Sequence, residues 1–329
     1  MMRRSVIFLS VLPLLFISCT KHETGRLVPV TLDAVLESEI KSSKAAISAN
    51  PYKGTSAAGM QAAVWFSQTS GEYEHDPAAP NNIPCHAAVT YPTTGSVTVY
   101  MDPVNMKDPL TYPVEGTEIY SIGLYPATGW TQSDAKTVTR SLDGQTDLMH
   151  ASQQQGSWQT PFATQSYKHL LSWIHVGYCA LSHEAEDFWG KILKIEAIDT
   201  PSDVSLDLGT GKASYSGTTN HVIFEANTPM DINMSFAGDY LCAPNINEGK
   251  AYVKLKVTTQ IEGKAQRETI VEVPLKKENG VDDVTMADAS GHMYIVSLYF
   301  SSSVVIEGSC ILSPWTEQNE DLFGTVTNH

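Results

Sequence analysis

Basic residues are scarce in this chain. Its 329 residues carry 21 Lys and Arg against 36 Asp and Glu, a formal net charge of −15 at pH 7. A surface of that sign repels phosphate backbones and anionic lipid, so nucleic acid is excluded as a partner. Charge of either sign is also sparse, at 17% of residues, while Ser, Thr, Val and Tyr are plentiful and 22 Gly and 17 Pro punctuate the chain. β-Branched and aromatic residues broken by Gly and Pro favour an all-β architecture. No segment combines helical start and stop signals around more than two turns.

Cysteine is the next scarcity. Beyond Cys19 only Cys85, Cys179, Cys242 and Cys310 remain, with no C-x-x-C pair and no Cys/His cluster at zinc spacing. Four cysteines allow three pairing schemes, and their spacing does not choose among them. Cys179 in HVGYCAL and Cys310 in GSCIL lie inside apolar runs, where a reduced thiol behaves as a small hydrophobe. A chain this long needs no staples, so free buried thiols are expected.

Catalytic patterns are missing too. Neither G-x-S-x-G nor a phosphate-cradling G-x-x-x-x-G-K-[ST] occurs. HEAED, starting at His183, opens like a zinc-protease helix, but Asp187 stands where the second histidine belongs. GEYEHD (residues 71–76) crowds four potential ligands into one loop without a distant partner, and reads as solvated. DGQTDLMH (143–150) has no late glutamate for a calcium loop and reads as a turn closed by Asp side chains. The chain is therefore expected to be no enzyme and to need no metal or cofactor. Trp130 and Trp158 sit in polar loops, where an indole either anchors packing or stacks on a sugar ring.

What the chain does have begins at its N-terminus. Arg3 and Arg4 precede an apolar run, residues 6–17, that is too short to span ~30 Å of hydrocarbon but suits a secretory signal. The run ends in Phe16-Ile17-Ser18-Cys19, which resembles a bacterial lipobox with Phe in place of the usual Leu. Residues 1–18 are thus expected to be a lipoprotein signal peptide and Cys19 the acylated first residue. Several acyl chains, at ~0.8 kcal/mol per buried CH₂, would make a stable anchor.

Strand signals fill the rest. LVPVTLDAVLE (27–37) alternates through Val28, Val30, Leu32 and, less cleanly, Val35, and a polar loop follows at 38–59. AVWFSQ, HAAVTY, SVTVYM and TEIYSIGLYP read as short strands, and residues 127–166 as loop-rich. Further on, HLLSWIHVGYCAL, ILKIEAI, VSLDL, HVIFEA and SVVIEGSCIL are strand candidates, and AYVKLKVTTQI with ETIVEVPL reads as a hairpin. MYIVSLYF has the continuous apolar content of a central strand buried on both faces. Strands at this spacing describe a β-sandwich, and the length predicts two domains, 19–160 and 161–329.

Particular segments add a resemblance. YPVEGTEIYSIGLYPATGW (112–130), DLMHAS (147–152), SYKHLLSWIHV (166–176), LDLGTG (206–211) and ILSPW (311–315) follow the order seen in the Bacteroidales fimbrillin-like family. The likeness covers most of the chain. It implies two transthyretin-like β-sandwich domains in tandem, an outer-membrane lipoprotein precursor, and assembly into adhesive type V pili with other pilus subunits at the cell surface. It further implies strand exchange: a trypsin-like protease cuts after the first strand, that strand leaves, and a partner's terminal strand fills the groove.

Transferred to this chain, the exchanged strand is 27–37, with Val28, Val30, Leu32 and Val35 facing the groove. The maturation sites are Lys41 and Lys44, with Lys53 further on and Arg26 ahead of the strand. The loop holds no arginine, and the tail TEQNEDLFGTVTNH is poor in apolar residues. Both departures point to a minor, tip or anchor subunit rather than a stalk subunit. The alternative is a surface lipoprotein that captures glycans for nutrition, or another host-surface ligand, through Trp130 or Trp158.

Overall fold

The computed structural model describes residues 27–36, 57–74, 83–102, 104–114, 116–277, 282–303 and 305–313. The regular structure of the described residues is nearly all strand, as composition led us to expect. Its helices are two short ones, His183–Trp189 and Met286–Ala289. The first is capped by Ser182, whose hydroxyl accepts the Ala185 N–H. This is the HEAED segment, and His183 bonds Glu186 at 2.7 Å on an exposed face.

A six-stranded sheet organises the N-terminal part. Its centre is Ile119–Tyr125, flanked by Gln61–Ser67 and then Cys85–Thr90 on one side. On the other side lie Met149–Gly156, Gln165–His169 and the edge strand Ala34–Leu36. Gln61–Ser67 (QAAVWFS) is buried at six of its seven positions, because both faces of this sheet are covered. Val64 and Phe66 enter one core with Met149 and Tyr167, while Ala63 and Trp65 enter a second with Ile122 and Trp173.

The C-terminal part stacks two sheets around one core. One has the order Ser235–Cys242, Ser172–Ala180, Met293–Phe300, Ile306–Ser313. The other joins Thr219–Pro229, Lys191–Thr200, Lys250–Gln260 and Asn245–Asn247, with Arg267–Pro274 also on Lys250–Gln260. The expected hairpin forms, from Tyr252 opposite Pro274 to Thr259 opposite Arg267. Met293–Phe300 is central, pairing parallel to Ser172–Ala180 and antiparallel to Ile306–Ser313. Cys85, Cys179, Cys242 and Cys310 are all buried and unbonded.

Three outcomes differ from the sequence reading. Residues 127–166 hold the strands Thr131–Asp134, Thr137–Ser141 and Met149–Gly156. Their glutamines and threonines hid a strand whose apolar positions are few, since Met149–Gly156 buries Met149, His150, Ala151 and Gly156 and exposes Ser152 and Gln155. Residue 160 also falls ahead of Gln165–His169, which pairs into the first sheet, so the sheets change at residues 170–171. Ser235–Cys242 escaped notice because Gly238 and Asp239 interrupt its apolar run.

The two parts share a small sheet. Thr137–Ser141 pairs antiparallel with Asp203–Asp207, which also carries Ala213–Ser216, while Thr131–Asp134 completes the other edge. Beneath it Val138, Leu148, Leu206, Leu241 and Met293 meet in one buried cluster. Buried carboxylates near this junction are paired. Asp239 accepts the Trp173 indole N–H and the His175 Nδ1–H, both at 2.8 Å. Asp147 accepts His169 Nδ1–H at 2.9 Å. Asp143 closes the preceding turn by accepting the Gln145 and Thr146 amides.

Two predictions follow from this packing. Tyr167 lies across Gly123, where an added Cβ would sit 2.1 Å from the phenol oxygen. Gly123→Ala should therefore cost about 1–3 kcal/mol by overpacking, read as a lower denaturant midpoint at unchanged slope. His150 is 4% exposed, and burial, helped by Lys168, pushes its pKa down to about 4 from 6.5. The unfolded chain takes up that proton below pH 6.5 and the folded chain does not until about pH 4. Its contribution is complete above pH 6.5 and declines as pH falls to 4, by roughly 2–3 kcal/mol. Denaturation at pH 7 and pH 4.5 should show a smaller loss in His150→Gln than in the parent chain.

Candidate assembly site

The segment 27–36 runs as an extended strand between three others. Its even positions point inward: Val30, Leu32 and Leu36 are buried, Val28 and Ala34 half-buried. Its odd positions point out, and Val35 is 45% exposed. The expectation that Val35 faces the groove is corrected by strand geometry, since a period of two keeps 28, 30, 32, 34 and 36 on one face. Leu36 takes the inward place.

Backbone pairing changes partner along the segment. Tyr112 N–H donates to Val28 O at 3.0 Å, and Val30 N–H to Leu110 O at 2.7 Å. Val30 O accepts Val99 N–H at 3.0 Å, and Thr31–Leu32 continues antiparallel to Val97–Thr98. Gln165 N–H then donates to Asp33 O at 2.7 Å, and Ala34–Leu36 pairs parallel to residues 165–167. One segment thus satisfies polar groups on three strands that do not fully satisfy one another.

The floor of the slot is aromatic and polar. Tyr91 donates to Gln165 Oε1 at 2.6 Å, with the Tyr167 hydroxyl 3.1 Å from that of Tyr91. Gln165, fully buried, also reaches Ser121 Oγ at 3.4 Å. Tyr112 accepts Phe162 N–H at 3.1 Å, and the two rings pack 5.6 Å apart. Burial raises the Tyr91 and Tyr167 pKa above the ordinary phenol value, so both stay neutral donors. This bed was not legible beforehand: Leu110 and Tyr112 sit in the proline-flanked DPLTYP, without a strand pattern.

Cys19, Arg26, Lys41, Lys44 and Lys53 lie outside the described residues. Among the described residues no group of three His, Cys, Asp or Glu could hold a metal. In GEYEHD, Tyr73 is buried and Glu72 pairs with Lys136 at 3.2 Å, while His75 and Asp76 are outside the described set. Trp130 is half-buried, its indole N–H on Pro126 O at 3.0 Å and the Arg140 guanidinium 5.9 Å from its ring. Trp158 is 40% exposed. No described helix is long and apolar enough to cross a membrane.

Comparison with known proteins follows the same line. No curated protein sequence matches the chain. A candidate cell adhesion protein from Bacteroides uniformis superposes with a TM-score of 0.52 at 16% identity, over 88% of this chain and 98% of its own. Another from Bacteroides ovatus gives 0.53 at 13% identity, over 90% and 100%. At such identities the likeness speaks to fold alone. The family model for fimbrillin-like proteins matches residues 50–315, most of the chain. The chain therefore belongs to the fimbrillin-like family.

Proposed function

We propose that this protein is a structural subunit of an adhesive surface pilus, of minor, tip or anchor type, joined to other subunits by strand exchange. The observation that carries the reading is the seating of segment 27–36. A near-terminal strand supplies backbone partners to three others and buries Val30 and Leu32 among Tyr112, Phe162 and Tyr167. A partner's strand of the same alternation would satisfy the same groups, which is the physics of β-augmentation.

The same reading holds that residues 1–18 are removed, that Cys19 is acylated in the outer membrane, and that two sandwich domains follow. Cleavage at Lys41 or Lys44 would free the first strand and cut the tether together. A subunit left uncut would stay on the membrane as an anchor. The absence of arginine from that loop and the polar tail of residues 316–329 favour this limited role over a repeating shaft.

Two outcomes are expected. Quantitative mass spectrometry of isolated pili should find this chain far below the most abundant subunit. A shaft built from it, with N-termini at Ser42 or Ala45, would contradict the assignment. Within the slot, Leu32→Ala should cost about 2–5 kcal/mol and Val35→Ala under ~0.5 kcal/mol, read by denaturation of the uncut chain.

A further inference from the structure

Along the inward row of segment 27–36 one place is chemically distinct. Val30, Leu32 and Leu36 are buried in an apolar cluster, and Val28 packs half-buried against it. Ala34, the small member of the row, pairs with Gln165 in the parallel ladder, while Leu36 pairs with Tyr167. Paired residues of neighbouring strands turn their side chains to the same face, close enough to touch. The Ala34 methyl therefore stands beside the Gln165 amide.

That amide is held firmly. Its Oε1 accepts the hydroxyls of Tyr91 at 2.6 Å and Tyr167 at 3.3 Å, and its Nε2 reaches Ser121 Oγ at 3.4 Å. The two phenol rings meet edge to face, with centroids 5.9 Å apart. Tyr167 already lies so close to Gly123 that a Cβ there would come within 2.1 Å of its oxygen, so the ring has no room to retreat that way. Tyr91, Gln165 and Tyr167 are all buried. A branched side chain at position 34 would press on this trio, and a trio pushed apart leaves buried polar groups unpaired.

Alternation alone does not fix the register of a strand. A slip of one residue turns the inward row outward, but a slip of two keeps it inward. Such a slip exchanges Val and Leu among near-equivalent places, except that it brings Leu32 or Leu36 against Gln165. We propose that Ala34 beside Gln165 is the register key of the slot, and that the slot accepts from another subunit a strand with a small residue there, flanked on the inward row by larger apolar ones. This rests on the strand-exchange reading and adds the pattern of the partner. It also says which strand is refused. Within residues 316–329, Gly324 is the sole Gly, Ala or Ser. Set at the key in the direction of segment 27–36, it puts Leu322 and Val326 at the places of Leu32 and Leu36. The same alignment puts Gln318 at the place of Val28 and Glu320 at that of Val30, which is fully buried in the apolar cluster. A carboxylate is costly there, so a second copy of this chain is a poor donor and the partner is a different chain.

The test is amide hydrogen exchange on the full, uncut chain, read at Val99 and Gln165, whose N–H groups bond Val30 and Asp33 of the segment. Ala34→Leu should lower protection at both by about tenfold or more, and Val30→Glu by about 100-fold or more. Ala34→Ser, which stays small, and Val35→Leu, which enlarges the outward row, should each stay within about threefold of the parent. The amides of Thr137–Ser141 and Met293–Phe300 should keep their protection in all four variants. Parent-like protection in Ala34→Leu or Val30→Glu, an equal loss in Ala34→Ser or Val35→Leu, or a loss that spreads to the two reference strands would each overturn the proposal. Seating is read within one chain, so the outcome is separate from the pilus assignment, which mass spectrometry of isolated pili tests.

Discussion

Buried backbone groups must be paired, and in this protein one short segment pairs them for three strands at once. Val28, Val30 and Asp33 carry the carbonyls that accept Tyr112, Val99 and Gln165 amides, and Val30 N–H satisfies Leu110 O. Each group left buried and orphaned costs about 1–3 kcal/mol, before any loss of apolar contact. Leu110 and Val99 are themselves bonded, Leu110 N–H to Val99 O at 3.0 Å, so the slot keeps some shape without its strand. A slot that is costly when empty, yet shaped, is what another chain's strand can fill.

The rest of the fold leans little on this segment. The six-stranded sheet has a second core on its far face, reached through Ala63, Trp65, Ile122 and Leu124. That core is closed by Thr137–Ser141 against Asp203–Asp207, a strand pair joining sequence-distant parts. Removing segment 27–36 takes Val30, Leu32 and Leu36 from one core and nothing from the other.

Much of the fold was legible in the sequence where alternation or unbroken apolar content is strong. Lys250–Gln260, Arg267–Pro274 and Met293–Phe300 fall where their patterns place them. Of the junction strands, Thr131–Asp134 and Thr137–Ser141 were not legible, because a strand half-covered by a small sheet needs few apolar residues. Thr137–Ser141 offers only Val138 to the core. In the candidate site, Val30 and Leu32 were readable from parity, and Val35 was misplaced by counting it as apolar without holding the period. The partners of the segment were not readable at all. Leu110, Tyr112 and Gln165 reach it from up to more than a hundred residues away, and only topology brings them there.

On the proposed function, segment 27–36 is a separable strand whose hydrogen bonds hold one side of an otherwise self-supporting fold. Residue-resolved amide hydrogen exchange tests it most directly, on the intact chain and on chain cut after Lys41 or Lys44 with the strand displaced. In the cut chain Val99, Tyr112 and Gln165 should lose protection together while the amides of Thr137–Ser141 and Met293–Phe300 keep theirs. Protection retained at Val99, Tyr112 and Gln165, or lost throughout the molecule, would contradict it.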